Sequence, residues 1–441
     1  MPDFPYPTSL DIENIRPTFA NSKPYPLPNL IPVLQRFPED VVEDVEKETL
    51  AQLAALPSIE LSGKRIAITA GSRGICGQVS AIKALVSFLK SKSADPFVVP
   101  AMGSHGGATA AGQLAVLESL GITEASVGAP IHATMEVVEI GSLDKDTPVC
   151  CDKNAFESDG IVVCNRIKAH TAFAADYESG LLKMMLIGLG KHLGTTAVHK
   201  LGFRRFHELV PAAARIMLDK APVIFGLGIV ENAYNGVAKV EAISKESIFV
   251  REKELLNYSK RIMGKMLVSD IDVLVIDALG KDVSGGGMDS NVTGRSAANL
   301  KRDYTPNISQ IVIRDLTKAT KGNAIGIGMA DITTRRAAEK INLGITYTNA
   351  LTARTPISTR IPLVAETDRE AIEIACRMAV AEESDKIRIA QIANTKQINR
   401  IWLSSAYLSE IEERDDLEID GELEAMKFDE SGNQLWPAER G

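Results

Sequence analysis

The 441-residue chain has no apolar run long enough to cross a bilayer, which takes about 20 consecutive residues. It has no basic start leading into an apolar stretch, so no secretory signal is expected and a cytoplasmic location is. Positive charge is not in excess: 49 Lys and Arg face 57 Asp and Glu, for a formal net charge of −8. That balance argues against nucleic acid as a partner, although much of the acidity lies in the tail (Glu410, Glu412, Glu413, Asp415, Asp416, Glu418). Cysteine is sparse and odd in number: Cys76, Cys150, Cys151, Cys164 and Cys376 contain no CxxC pair. Neither a disulfide framework nor a zinc site is expected, and Cys164, in an apolar run, reads as a core thiol. The chain also lacks a GxGxxG following a strand and lacks a Walker motif, which weighs against a nicotinamide dehydrogenase. No internal repeat is apparent.

What is present is a soluble globular composition, 45% hydrophobic and 24% charged, long enough for two domains. Short β-rich runs alternate with helical patterns. Strands are predicted over 65–70, 96–100, 135–140 and 160–165, with helices over 78–90 and 109–120. This order implies βαβ units and a mostly parallel sheet. Later strands are predicted over 223–230, 271–277, 311–316, 324–328, 361–364 and 401–404. Helices are predicted over 40–56, 208–218, 247–263, 370–380 and 385–392. The expected architecture is α/β, two domains each with a mostly parallel sheet flanked by helices, and an active site in the cleft between them. The boundary is placed at 264: 1–264 is an N-terminal catalytic domain and 265–441 a C-terminal domain with a Gly-rich loop and acidic tail. A Pro-rich arm opens the chain; such arms wrap a domain or a neighbouring subunit, which is compatible with a homo-oligomer.

In parallel sheets ligands sit beyond the carboxyl ends of the strands. The first strand ends at Gly71-Ser72-Arg73-Gly74, the second at Met102-Gly103-Ser104-His105-Gly106-Gly107, and the fourth delivers Arg166, Lys168 and His170. Arg73 and His105 are thereby candidates for one cleft, whereas Lys168 reads as a solvated loop cation. His132, His192 and His207 read as surface or structural residues.

The densest chemistry follows. Gly180-Leu181-Leu182-Lys183-Met184-Met185-Leu186-Ile187-Gly188 sets one lysine in an apolar run. Such an amine must reach water, lose its charge, or become covalently modified, because an unpaired buried ammonium is very costly. Sixteen positions on stands His199, with Gly188, Gly190 and Gly194 between. Gly188-Leu189-Gly190 through Thr195-Thr196 is loosely like a phosphate-cradling loop, with threonine hydroxyls to cap a helix.

The Lys183–His199 spacing, preceded by an arginine loop, a histidine loop and His170, resembles the nickel-dependent lactate racemase family. The resemblance implies that Lys183 is joined to a nickel-pincer nucleotide (a pyridinium-3-thioamide-5-thiocarboxylic acid mononucleotide) and that His199 ligates the nickel. Ser72, Gly188, Gly190 and Thr195 would line the cofactor. Arg73 would orient a substrate carboxylate, and His105 and His170 would be catalytic bases. A loop of the second domain supplies a lysine and a glutamine in the family. Lys281, in Gly280-Lys281-Asp282-Val283-Ser284-Gly285-Gly286-Gly287, matches the lysine, with no glutamine nearby.

The activity so implied is racemisation or epimerisation of a lactate-like 2-hydroxy acid by reversible hydride transfer, with cofactor-synthesis enzymes as partners. The chain departs from the family at three points. Gly74 and Gly106 stand where a proline and an arginine are usual, and His170 lies farther from the lysine. Two alternatives follow: a branch acting on another 2-hydroxy acid, such as malate or a sugar acid, or a small-molecule-binding protein that kept the fold without the cofactor.

Overall fold

The computed structural model describes residues 24–297, 304–379 and 386–435. The chain divides into two compact units, Pro38–Met263 and the union of Met1–Phe37 with Gly264–Gly441. Where one boundary near 264 is expected, the chain therefore crosses twice. The reason is a strand not foreseen in the sequence, Leu30–Gln35 (β1), which pairs antiparallel with two strands near the other end of the chain.

The unit Pro38–Met263 is built on Arg65–Ala70 (β2), Asp95–Pro100 (β3), Gly160–Arg166 (β6), Val223–Glu231 (β7) and Val237–Ser244 (β8). Their order in the sheet is β3-β2-β6-β7-β8, parallel except for β8, which returns antiparallel beside β7. Ile66, Ile68, Val98, Val162, Cys164, Phe225 and Leu227 are buried in one core, as continuous apolar strand runs require. The helix Gln78–Ser91 closes that core with Ala81, Ile82, Leu85, Val86 and Leu89, a helical repeat of buried positions. The run predicted as a further strand of this sheet instead forms a separate antiparallel hairpin, Val137–Asp144 (β4) with Thr147–Asp152 (β5).

In the second unit the described strands are Ile271–Leu279 (β9), Ile308–Leu316 (β10), Ile332–Thr334 (β11), Leu363–Ala365 (β12), Ile389–Ile392 (β13), Arg400–Ser404 (β14) and Leu417–Ile419 (β15). With β1 they form one sheet in the order β12-β11-β10-β9-β13-β14-β1-β15. The pairs from β12 to β13 are parallel and those from β13 to β15 antiparallel. Two expectations fail here. The helix predicted over 385–392 is, from residue 389, the buried strand β13. The strand predicted over 324–328 is a turn running into the short 3-10 turn Ile327–Met329. Residue 380, the predicted end of the preceding helix, and residue 385 lie outside the described residues. Among the described residues, no helix is long and apolar enough to cross a membrane.

Candidate active site

Because β3, β2 and β6 are neighbours and parallel, the loops after them emerge side by side at one edge of the sheet. The first holds His105, the second Ser72 and Arg73, the third Lys168 and His170. The segment carrying Lys183 is laid across the same edge. Asn165 Nδ2, at the end of β6, donates to Gly180 O at 2.8 Å, and Gly103 N–H donates to Gly188 O at 3.2 Å. A Cβ on Gly188 would meet Ala101 O at 2.7 Å, so only glycine lets the two backbones approach this closely.

This segment is helical throughout rather than a loop. A helical turn Leu181–Lys183 passes into a π-helical turn, Met184–Gly188, and then into the helix Lys191–His199. The expected phosphate-cradling loop at 188–196 is therefore absent. Gly188 and Gly190 are buried packing positions, and the Thr195 hydroxyl donates to Ile187 O at 3.0 Å. The glycine spacing signalled close backbone approach, and the approach is of helix to loop.

Lys183 and His199 meet one cluster of rings. Lys183 Nζ lies 5.9 Å from the centroid of Phe173. Phe173 packs on Phe206 at 5.3 Å, and Phe206 on His199 at 5.5 Å. Phe203 sits 5.4 Å from His199 and 6.1 Å from His170, which stacks on Phe173 at 4.4 Å. The amine and both imidazoles thus border the same apolar patch, whose phenylalanines the sequence gives no reason to single out. Lys183 is half-buried, and its pKa is pushed down from 10.5 to about 7. Burial is the main cause, followed by the positive charges of Arg73 and Lys168; Glu178 opposes them. Lys168 is accordingly no solvated loop cation. It is half-buried, its backbone is bridged to Ser179, and its charge acts on Lys183.

The other cations are arranged around it. Arg166 pairs with Glu231, which also accepts from Cys76 N–H at 2.7 Å. Arg73 is exposed and makes no hydrogen bond or ion pair among the described residues. Its pKa is lowered, first by desolvation and then by Arg166. An arginine held among cations without a carboxylate is suited to an anionic ligand.

The two candidate bases differ in their ring hydrogen bonds. His105 is exposed, and its Nδ1 lies 2.8 Å from Met102 O. A carbonyl only accepts, so Nδ1 carries the proton and the lone pair of the neutral ring is on Nε2. His170 is the reverse: its Nδ1 accepts the Ala172 N–H at 2.9 Å, so the neutral ring carries its proton on Nε2. Its backbone N–H is held by the buried Glu178 at 2.6 Å. The two candidate bases thus differ in which ring nitrogen is engaged, Nδ1 as donor in His105 and Nδ1 as acceptor in His170.

Gly106, where the family usually has arginine, has a structural reason here. Its φ is +66°, and a Cβ would fall 2.4 Å from the Gly112 carbonyl carbon. Lys281 belongs to the other unit, where its Nζ donates to Gly285 O at 2.8 Å and Asn349 Oδ1 at 2.7 Å.

Residues 50–208 match the lactate racemase N-terminal domain. Over that stretch the chain is similar to the lactate racemase family. The domain match spans every candidate of the first unit, from Ser72 and Arg73 to His199. Among solved structures, the chain is similar to the lactate racemase apoprotein of Thermoanaerobacterium thermosaccharolyticum. The identity is 14% over 84% of this chain and 99% of that one, with a TM-score of 0.52. It is also similar to a protein from Thermotoga maritima, at 14% identity over 82% and 99% with a TM-score of 0.46. At such identity the first likeness establishes the fold and no more. No curated protein sequence matches.

Within the lactate racemase fold, Glu252 is a residue that sequence reasoning missed. It is buried on the helix Ile248–Ile262; its Oε2 accepts from Leu182 N–H at 2.9 Å, next to Lys183, and its Oε1 has no hydrogen-bond partner among the described residues. Burial pushes its pKa up from 4.5 to about 8. The folded state therefore holds a proton between about pH 4.5 and 8 that the unfolded state releases, so stability falls as pH rises through that window. Urea unfolding at pH 5, 7 and 9 should show the wild type losing a few kcal/mol across the window, and Glu252→Gln should flatten the slope. Parallel slopes for the two proteins would count against a protonated Glu252.

Proposed function

We propose that this site racemises or epimerises a 2-hydroxy acid with the help of a nickel-pincer nucleotide joined to Lys183 and ligated through His199. The observation that carries the reading is the amine of Lys183, held near pKa 7 on the ring cluster that also seats His199. An amine about half unprotonated at neutral pH is the chemistry that acylation by a thiocarboxyl group needs. Among the described residues, no group of three or more His, Cys, Asp or Glu is arranged to hold a metal ion. A metal on His199 would thus draw its other donors from a bound group, and a planar set of sulfur, carbon and imidazole suits nickel.

When bound, the nucleotide supplies a reversible hydride acceptor, which spares the chain the removal of a weakly acidic proton at Cα. The chain's own residues do the rest. Arg73 takes the substrate carboxylate bidentately and fixes which face is presented. His105 Nε2 accepts the hydroxyl proton, a role contributing on the order of 10²–10⁴-fold. His170 donates from Nε2 to the substrate oxygen and stabilises charge developing there. The phenylalanines keep water from the reacting carbon.

The test is intact-protein and peptide mass spectrometry of protein made together with the cofactor-building enzymes and nickel. An adduct on Lys183 is expected, absent from Lys183→Ala; His199→Ala should keep the adduct and lose most of the nickel. An unmodified Lys183 in nickel-loaded protein would sink the proposal in favour of a binding protein of this fold.

The positive charges of Arg73 and Lys168 favour a second reading within the same chemistry, a substrate with an additional acidic group such as malate. Loss of optical purity across a panel of 2-hydroxy acids separates the two. Lys168→Ala should lower kcat/KM for the dicarboxylate by about tenfold, the scale of one charge-assisted hydrogen bond, and leave lactate little changed.

A further inference from the structure

Lys191 is wholly buried and is used by no step above. It stands with φ +51° at the start of the helix that ends in His199. Its ammonium donates to Pro100 O, at the end of β3, and to Gln113 Oε1 at 2.8 Å. It pairs with the buried Asp152 Oδ2 at 3.0 Å. The ammonium thus donates to two neutral oxygens and stands in ion-pair contact with a carboxylate.

The consequence for Gln113 is directional. Gln113 is wholly buried on the helix Ala110–Ser119. Because an ammonium only donates, the amide oxygen must turn toward Lys191 and the amide nitrogen away from it. That nitrogen donates to Gly103 O at 2.9 Å and, more weakly, to His105 O at 3.4 Å. Both carbonyls belong to the loop whose Met102 O receives His105 Nδ1 at 2.8 Å and His105 N–H at 3.2 Å.

We propose that Lys191 and Gln113 are positioning residues: the buried ammonium orients the amide, the amide clamps the loop, and the clamped loop holds His105 with its proton on Nδ1 and its lone pair on Nε2. The relay rests on the proposed function only for the use of that lone pair. It joins the helix of His199 to the loop of His105, so the metal ligand and the proton acceptor share one buried strut. A purely structural Lys191–Asp152 pair would leave the His105 ring indifferent to Gln113.

The experiment is long-range 1H–15N correlation of the histidine rings in the full-length protein without cofactor, with His105 and His170 assigned by His105→Gln and His170→Gln. In the wild type, His105 should report Nδ1–H and His170 Nε2–H. Gln113→Met keeps the volume and removes both donors. It should shift the His105 tautomer ratio toward Nε2–H by about fivefold, the scale of one neutral hydrogen bond, and leave His170 unchanged. If Gln113→Met does not fold, Gln113→Glu serves instead, since it keeps an acceptor for Lys191 and removes the donor to the loop. Lys191→Met with Asp152→Leu, which frees the amide to turn over, should reproduce the His105 shift.

An unchanged His105 in the Gln113 variants would overturn the relay. A shift there with none in the double variant would remove Lys191 from it. Neither result depends on loading the nucleotide, so failure of the relay and failure of the proposed function are read separately.

Discussion

Asp152→Ala is expected to lower the stability of the unit Pro38–Met263 by about 3–5 kcal/mol, the usual consequence of stranding one member of a buried ion pair. Asp152 and Lys191 are each 0% exposed. Burial pushes the carboxyl up and the ammonium down from their ordinary values, so each charge is tolerated because of the other. Without Asp152 the ammonium keeps only neutral oxygens, from Pro100 and Gln113. Asp152 Oδ1 also caps the short helix Lys153–Phe156 by accepting Ala155 N–H at 3.0 Å, adding about 1 kcal/mol to the loss. Against a total stability of about 5–15 kcal/mol for a typical domain, the variant should sit near its unfolding midpoint at modest urea. Asp152→Asn keeps the cap and isolates the charge. Replacing both partners by apolar residues should recover most of the loss, because the stranded charge and not the missing attraction is the larger cost. A loss under about 1 kcal/mol for Asp152→Ala in urea titrations would mean that water reaches the ammonium.

The second large effect is chemical. At pH 7 an amine of pKa about 7 is half unprotonated, against about three in ten thousand for a lysine at 10.5. Limiting acylating reagent, followed by quantitative peptide mass spectrometry, should label Lys183 of the cofactor-free protein with a rate that inflects near pH 7. Its lower basicity offsets part of the roughly thousandfold population advantage, and a rate excess of about tenfold or more over exposed lysines should remain at neutral pH. Arg73→Gln removes the first-named charge acting on Lys183, so the inflection should move upward; Glu178→Gln removes the opposing charge and should move it down. An inflection near the ordinary lysine value of about 10 would remove the physical basis for a tether at this position.

The architecture was largely legible because β-branched stretches such as Ile66–Ile68 and Ile161–Val163 are unambiguous when they recur between helical patterns. The site was legible as loops: strand ends at Ser72, His105 and Lys168 fall where a parallel sheet must place them. What failed was local. Residues 389–392 follow a helical pattern and are too few to betray a strand that is set by its partners on both sides, β9 and β14. The glycines at 188 and 190 are compatible with an anion loop or with tight helix packing, and only the neighbouring chain at Ala101 and Gly103 decides between them. Lys191, Gln113 and Glu252 were invisible because a polar residue in a helical run reads as solvent-facing. Their burial depends on distant partners: Leu182 N–H, 70 positions from Glu252, and Pro100 O, 91 positions from Lys191.

The position of β1 has a practical consequence for anyone shortening the gene. It lies between β14 and β15, zipped to both, although it comes from the opposite end of the polypeptide. A clone begun at residue 38 would look like a clean removal of a proline-rich leader. It would instead unpair β15 and leave the backbone of β14 as an open template for another chain, inviting insoluble protein.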